Sequence, residues 1–233
     1  MTSMCTTREK FKSFYYQDDV FPEIKVNIGT TALLIVDMQN EFILRDYGEA
    51  QQFKEAGVWE RWIPFHDRLD EIVIPNNVKL LQHFRNYNMT VTYGRIASLR
   101  DDGADRSAVQ KSDGWNGINL HVDSFAAQMI DELEPQKNEI VVNKTTDSVT
   151  TGTNYLQLLR NMGVETVIVT GIVTDQCVAS TVRGLADDGF QVICVEDCCA
   201  AGSMALHNAE LTIMNGVYCS VLNTKEVLDL INP

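Results

Sequence analysis

The chain has 233 residues, of which 45% are hydrophobic and 22% charged, enough to bury a full core without disulfide or metal staples. Nineteen Lys and Arg face 32 Asp and Glu, and the formal net charge of −13 repels phosphate backbones and anionic membrane surfaces, so neither nucleic acid nor membrane is an expected partner. A mean hydropathy of −0.12 and the lack of an apolar run near 18 residues argue against a transmembrane helix. The opening MTSMCTTREKFKSFYYQDDV has no apolar signal core, so the expected location is cytoplasmic.

Residues 1–29 read as an arm that wraps the body or a neighbouring subunit. TALLIVD (31–37) is the first strand-like run. After an expected irregular insertion over 43–74, Pro75 introduces a helix from Asn76 to Tyr87, with Val78, Leu80, Leu81 and Phe84 on one side. MTVTYGR (89–95) is a second strand, followed by another insertion over 96–122 and then NEIVVNK (138–144). A helix from Thr153 to Met162 stops at Gly163, and ETVIVTG (165–171) follows as a strand. Cys177 to Asp188 is helical up to Gly189, and FQVICVE (190–196) is a strand. Ser203 to Met214 and Thr224 to Ile231 are helices opening on a hydroxyl cap, and GVYCSV (216–221) is the strand between them.

Apolar β-branched runs without polar alternation indicate strands buried on both faces. The expected fold is therefore α/β, a doubly wound and mostly parallel six-stranded sheet with helices on both faces, in a single domain over 1–233. Such sheets place ligands at the C-terminal strand ends, beside the switch in strand order. The two insertions hold Trp59, Trp62 and Trp115 with Arg61, Arg68, Arg100 and Arg106. These aromatics, together with Phe11, Phe14, Tyr15 and Tyr16 of the arm, predict a homo-oligomer, although a lid over a site would use the same residues.

Six cysteines are present, but a chain of this size without export features does not read as a disulfide scaffold. Cys194 and Cys219 lie in apolar runs, Cys198-Cys199 is not a C-x-x-C pair, and Cys5 belongs to the arm. Cys177 differs, because it follows the strand end at Gly171 by six residues, at an expected loop-to-helix turn. Asp37 and Lys144 end two other strands, so all three open on one sheet edge. A Lys ammonium lowers a thiol pKa, an Asp can take the thiol proton, and turn amides can hold an oxyanion. Singly, each has a plainer reading: an Asp at a strand end is commonly a cap, and a Cys in an α/β core is commonly inert.

Two stretches carry a family resemblance. LIVDMQNEF (34–42) is similar to the D-x-Q-x-D/E-F opening of the isochorismatase-like cysteine hydrolases, and VTGIVTDQCVASTVRGLADDGFQVICVEDCCAAG (169–202) resembles their cysteine block. Lys144, 33 positions before Cys177, matches the family lysine, and the resemblance covers roughly residues 30–222. It includes the N-carbamoylsarcosine amidase, biuret hydrolase and ureidoacrylate amidohydrolase type. It implies an Asp37, Lys144 and Cys177 triad that hydrolyses a non-peptide C–N bond of a small linear amide, carbamoyl or ureido compound through a thioester. It further implies an oxyanion hole at the amides of Val173 and Cys177, a cis peptide between Ile172 and Val173, and Phe42 as a pocket aromatic.

A nicotinamidase-like deamidase is the alternative within enzymes, but that branch carries a D-x-H metal site. His66, His83, His121 and His207 show no such spacing, so structural roles are expected for them, with no metal and no cofactor. The aryl-carrier isochorismatases, which lack the cysteine, fit Cys177 less well. A non-catalytic ligand-binding or thiol-sensing protein on the same fold is a further reading. Arg95, at a strand end on the same edge as Asp37 and Lys144, can fork a substrate carboxylate; the plainer reading is that it, Arg100, Arg106 and Lys111 pair with surplus acids such as Asp101, Asp102 and Asp105.

Overall fold

The computed structural model describes residues 6–112, 114 and 116–232, so Cys5 and Trp115 lie outside the described residues. All six strand-like runs form strands: β1 (Thr31–Val36), β2 (Thr90–Ile96), β3 (Ile140–Lys144), β4 (Thr166–Ile172), β5 (Gln191–Ala200) and β6 (Ser220–Leu222). They make one sheet in the order β3-β2-β1-β4-β5-β6, and every pair is parallel. The helices, in chain order, are α1 (Thr7–Lys10), α2 (Asn40–Ile43), α3 (Gly48–Glu55), α4 (Ile63–Arg68), α5 (Ile74–Asn86), α6 (Tyr155–Asn161), α7 (Ala179–Asp187), α8 (Met204–Met214) and α9 (Thr224–Leu230).

Strand alternation feeds two cores. Leu34, Val36, Val167 and Val169 pack on Tyr155 and Leu159 of α6, Val182 and Leu185 of α7, and Leu211 of α8. Leu33, Ile35, Ile168 and Ile193 pack on Leu80, Leu81 and Phe84 of α5 and Val227 of α9. A fully buried Leu, Ile or Val contributes roughly 1.5–3 kcal/mol, which is why β1 is apolar at consecutive positions: both its faces are covered. The sheet is thus the middle of three layers.

Register decides what meets at the C-terminal edge. Val36 pairs with Gly94 of β2 and Gly171 of β4, and Ile96 pairs with Lys144 of β3. The chain leaves β1 toward β2 and β3 on one side, and later returns to lay β4 on the other. That crevice, between β1 and β4, is where parallel α/β sheets bind ligands.

Four sequence expectations change. Residues 43–74 are helical rather than irregular: α3, a 3-10 turn at Trp59–Arg61, α4 and a π turn at Leu69–Val73 run on into α5. Pro75 therefore sits inside a continuing helical segment, and the wide turn before it tolerates the missing proline N–H. β5 extends through the expected turn to Ala200, whereas β6 begins only at Ser220 because Gly216 to Cys219 closes a turn, with the Gly216 amide on the Cys219 carbonyl at 2.8 Å. The cap of α9 is Asn223, in a reciprocal capping box with Glu226, not Thr224. Ser203 does cap α8, by accepting from the Leu206 amide.

The arm lies on its own body. Asn215 donates to the carbonyls of Arg8 (2.9 Å) and Phe11 (3.1 Å), the Thr7 amide donates to Glu226, and the Phe11 ring is buried. Phe14 and Tyr15 stay exposed. Among the described residues, no helix is long and apolar enough to cross a membrane.

Candidate active site

Directly after β1, Asp37 takes φ 51°, a left-handed conformation that costs a non-glycine residue roughly 1 kcal/mol or more. Its amide is anchored on the Gly94 carbonyl at 2.9 Å. Its carboxylate accepts from the Ile96 amide (3.1 Å) and from Lys144 Nζ (2.8 Å). Gln39, two residues on, explains the spacing of the opening motif: it accepts from the same Ile96 amide at 2.8 Å and donates to the carbonyls of Ile96 and Ala127. That clamp ties the turn after β1 to the end of β2. The sequence reading assigned Gln39 no role.

Lys144 ends β3 with its side chain fully buried. Its ammonium donates to Asp37, to the Thr146 carbonyl at 3.2 Å and to Cys177 Sγ at 3.5 Å. On the other side of β1, β4 can approach because Gly171, at φ 110°, has no Cβ to strike the Val36 backbone. The Ile172–Val173 peptide is cis, and the chain then enters a π turn at Thr174–Val178 that carries Cys177 and continues into α7. The Val173 carbonyl accepts the Gln176 and Val178 amides, which fixes the turn. Buried Thr174 bonds His207 of α8 at 2.8 Å, and the far ring nitrogen of His207 meets Arg68 at 3.1 Å. His207 and Arg68 thus brace the turn that holds Cys177.

Burial drives the electrostatics. It pushes the Cys177 thiol well up, the Asp37 charge adds to this, and Lys144 pulls it back only in part. Lys144 does lower the thiol, as expected, but burial and the Asp37 charge outweigh it, so the thiol is protonated at rest. Burial also raises the Asp37 carboxyl, against the pull of Lys144, Cys177 and the Ile96 amide. For Lys144, burial favours proton loss, but the Asp37 charge and the hydrogen bonds to Asp37 and Cys177 outweigh it and keep the ammonium protonated.

Asp37 and Cys177 open into a cavity of about 320 Å³. Phe42 lines it, and so do Val173 and Ile172. Arg95 does not. Its neighbour Ile96 faces this cavity, and strand alternation turns Arg95 to the other side of the sheet, where it donates to Asn143 (2.8 Å) and Gln128 (2.7 Å) and borders a separate cavity of about 370 Å³. Arg100 pairs with Asp102, Lys111 reaches the Ala104 carbonyl, and Arg106 ties its own loop together through the Gln110 and Ile118 carbonyls.

Several lining residues escaped the sequence reading. Phe53, Trp62 and Phe65 form an aromatic wall, with Phe53 stacked on Trp62 at 4.4 Å and 2°. Glu49 and His66 stand in the same lining. Trp62, Phe65 and His66 are spaced i, i+3, i+4, a helical signal in a stretch read as irregular. Burial keeps His66 neutral by lowering its pKa. His121 meets Asp101 at the surface, and His83 contacts the Ile231 carbonyl. Among the described residues, no group of three or more His, Cys, Asp or Glu could hold a metal ion. Cys194, Cys198, Cys199 and Cys219 are free and buried.

The Isochorismatase domain family matches residues 31–226. The chain belongs to that family. A ureidoacrylate amidohydrolase, RutB, of Pseudomonas savastanoi pv. phaseolicola is 40% identical over 183 residues, covering 72% of this chain and 68% of the relative. The crystal structure of a cysteine hydrolase from Pseudomonas syringae pv. phaseolicola superposes with a TM-score of 0.75 at 25% identity, over 91% of this chain and 97% of that one. An N-carbamoylsarcosine amidase from Thermoplasma acidophilum shares the fold, with a TM-score of 0.63 at 24% identity over 84% and 96% of the two chains. This family member is an isochorismatase-like hydrolase.

Proposed function

We propose that the protein is a cysteine-dependent amidohydrolase that cleaves the non-peptide C–N bond of a small linear amide, carbamoyl or ureido compound. The observation that carries this reading is the contact of one buried ammonium, Lys144, with both Asp37 (2.8 Å) and Cys177 (3.5 Å) at the floor of the cavity. The relatives named for ureidoacrylate hydrolysis and cysteine hydrolase chemistry support it.

In this mechanism Cys177 Sγ attacks the substrate carbonyl carbon as its proton passes to Asp37. The carbonyl electron pair moves to oxygen, where the amides of Val173 and Cys177 stabilise the oxyanion. Collapse breaks the C–N bond, and Asp37 returns the proton to the departing amine or ammonia. Water then attacks the thioester, giving a proton to Asp37 as the carbonyl re-forms and the Cys177 sulfur leaves and is reprotonated. Lys144 balances the negative charge that moves between Asp37 and the sulfur, so no bare charge is buried at any stage. A thiol that is protonated at rest suits this scheme, because its proton leaves only as the C–S bond forms.

The test is ammonia release from a panel of ureido, carbamoyl and carboxamide compounds by the wild type and Cys177→Ala. Turnover should fall by at least ~10³ in the variant with an unchanged melting transition. Near-normal ammonia release by Cys177→Ala would end the proposal.

A further inference from the structure

Outside the triad, the cavity has an unbalanced lining. Asp37 has Lys144 against it, but Glu49, Asp147 and Asp175 line the same space with no Lys or Arg partner among the described residues, and no Lys or Arg belongs to the lining. Three lining residues hold buried polar atoms without a hydrogen-bond partner: Asp175 Oδ1, Trp62 Nε1 and His66 Nδ1. His66 is only 1% exposed, so water does not readily replace the missing partner. Phe42, Phe65 and the Phe53–Trp62 stack give the lining its aromatic rings.

Such a space discriminates by charge. A carboxylate such as ureidoacrylate would add a further negative charge beside Glu49, Asp147 and Asp175, with no Lys or Arg in the lining to meet it. An organic cation would supply the counter-charge that Glu49 and Asp175 lack, and aromatic rings attract cations. We propose that the cavity selects a cationic substrate, an amide, carbamoyl or ureido compound whose far end is an alkylammonium or guanidinium, with Glu49 as its counter-ion beside Phe53 and Trp62. This rests on the cysteine amidohydrolase reading for the scissile end; the far end is what is new. Burial, with Glu41 nearby, holds the Glu49 carboxyl up at about 7, the state of an acid waiting for a partner.

The experiment uses three ureas of one chain length: 4-aminobutylurea (cationic), pentylurea (neutral) and 4-ureidobutanoate (anionic). Each is titrated calorimetrically into the full-length Cys177→Ala protein, which binds without turnover. The cation should bind at least tenfold tighter than pentylurea, and the anion should bind weakest. Adding Glu49→Gln should bring the preference for the cation over pentylurea below threefold. Equal affinities, a tighter anion, or no binding of 4-aminobutylurea would overturn the inference. Ammonia release by the wild type separates the two claims. If 4-ureidobutanoate is hydrolysed as fast as 4-aminobutylurea, charge selection falls while the amidohydrolase stands. If the cation binds selectively but none of the three is cleaved, the hydrolytic reading suffers and the charge selection stands.

Discussion

Beneath the floor of the cavity, behind Asp37 and Cys177, Lys144 uses all three ammonium donors, on Asp37, the Thr146 carbonyl and Cys177. On the wall, Trp62, His66 and Asp175 each keep a buried polar atom unpartnered. The floor is assembled from strand ends and the turn after β4, where sheet register leaves little freedom; the wall comes mainly from short helices laid over the sheet edge. A closed network resists change and is costly to break, whereas an open set of polar atoms is completed by whatever enters the cavity. Removing the buried cation from the floor should therefore act on turnover and on stability together, and wall variants on substrate affinity.

The largest effect should come from Lys144→Met. It leaves the Asp37 carboxylate buried without its cation, a loss of roughly 3–5 kcal/mol in folding stability, together with a fall of at least ~10³ in kcat/KM. Denaturant midpoints and ammonia release measure the two. A stable variant that loses only activity would show that the floor is less tightly closed than its contacts imply.

The second test is the acid limb of the pH profile. In the proposed mechanism Asp37 must be ionised to accept the Cys177 proton, and burial lifts its carboxyl above the ordinary range. As pH falls through that raised value, Asp37 gains a proton and activity is lost, about tenfold per pH unit, with a midpoint above the usual ~3.9 of an aspartate. A limb at or below ~3.9 in kcat/KM would contradict the burial argument.

The smallest effect belongs to the wall. Trp62→Ala removes the ring stacked on Phe53 and should lower kcat/KM by about tenfold, mostly through KM, because no reacting atom is touched. An equal fall in kcat with KM unchanged would place Trp62 with the floor instead.

The floor was largely legible in the sequence because it depends on local patterns. Continuous apolar runs can be read as doubly covered parallel strands, and Asp37 and Lys144 mark the ends of two of them. Cys177, past the end of a third, stood out through the same logic and through the motif around it. Parallel strands share one C-terminal edge, so residues at their ends converge whatever the loops do. The wall was not legible for the opposite reason. Glu49, Phe53, Trp62 and His66 come from a segment whose short helices are interrupted by a 3-10 turn and a π turn, which blur the helical period over 43–74.

By itself the sequence determined the doubly wound sheet and its six strands, and it placed Asp37, Lys144 and Cys177 together as candidates on one sheet edge, since burial on both faces and strand-end position are properties of neighbouring residues. Only the tertiary structure decided that Arg95 faces away from the cavity, because one step along β2 reverses the side of the sheet and nothing local says which side holds the crevice. Only the tertiary structure, too, set the resting state of Cys177: burial and the Asp37 charge outweigh Lys144, and that balance depends on what covers the site, not on which residues spell it.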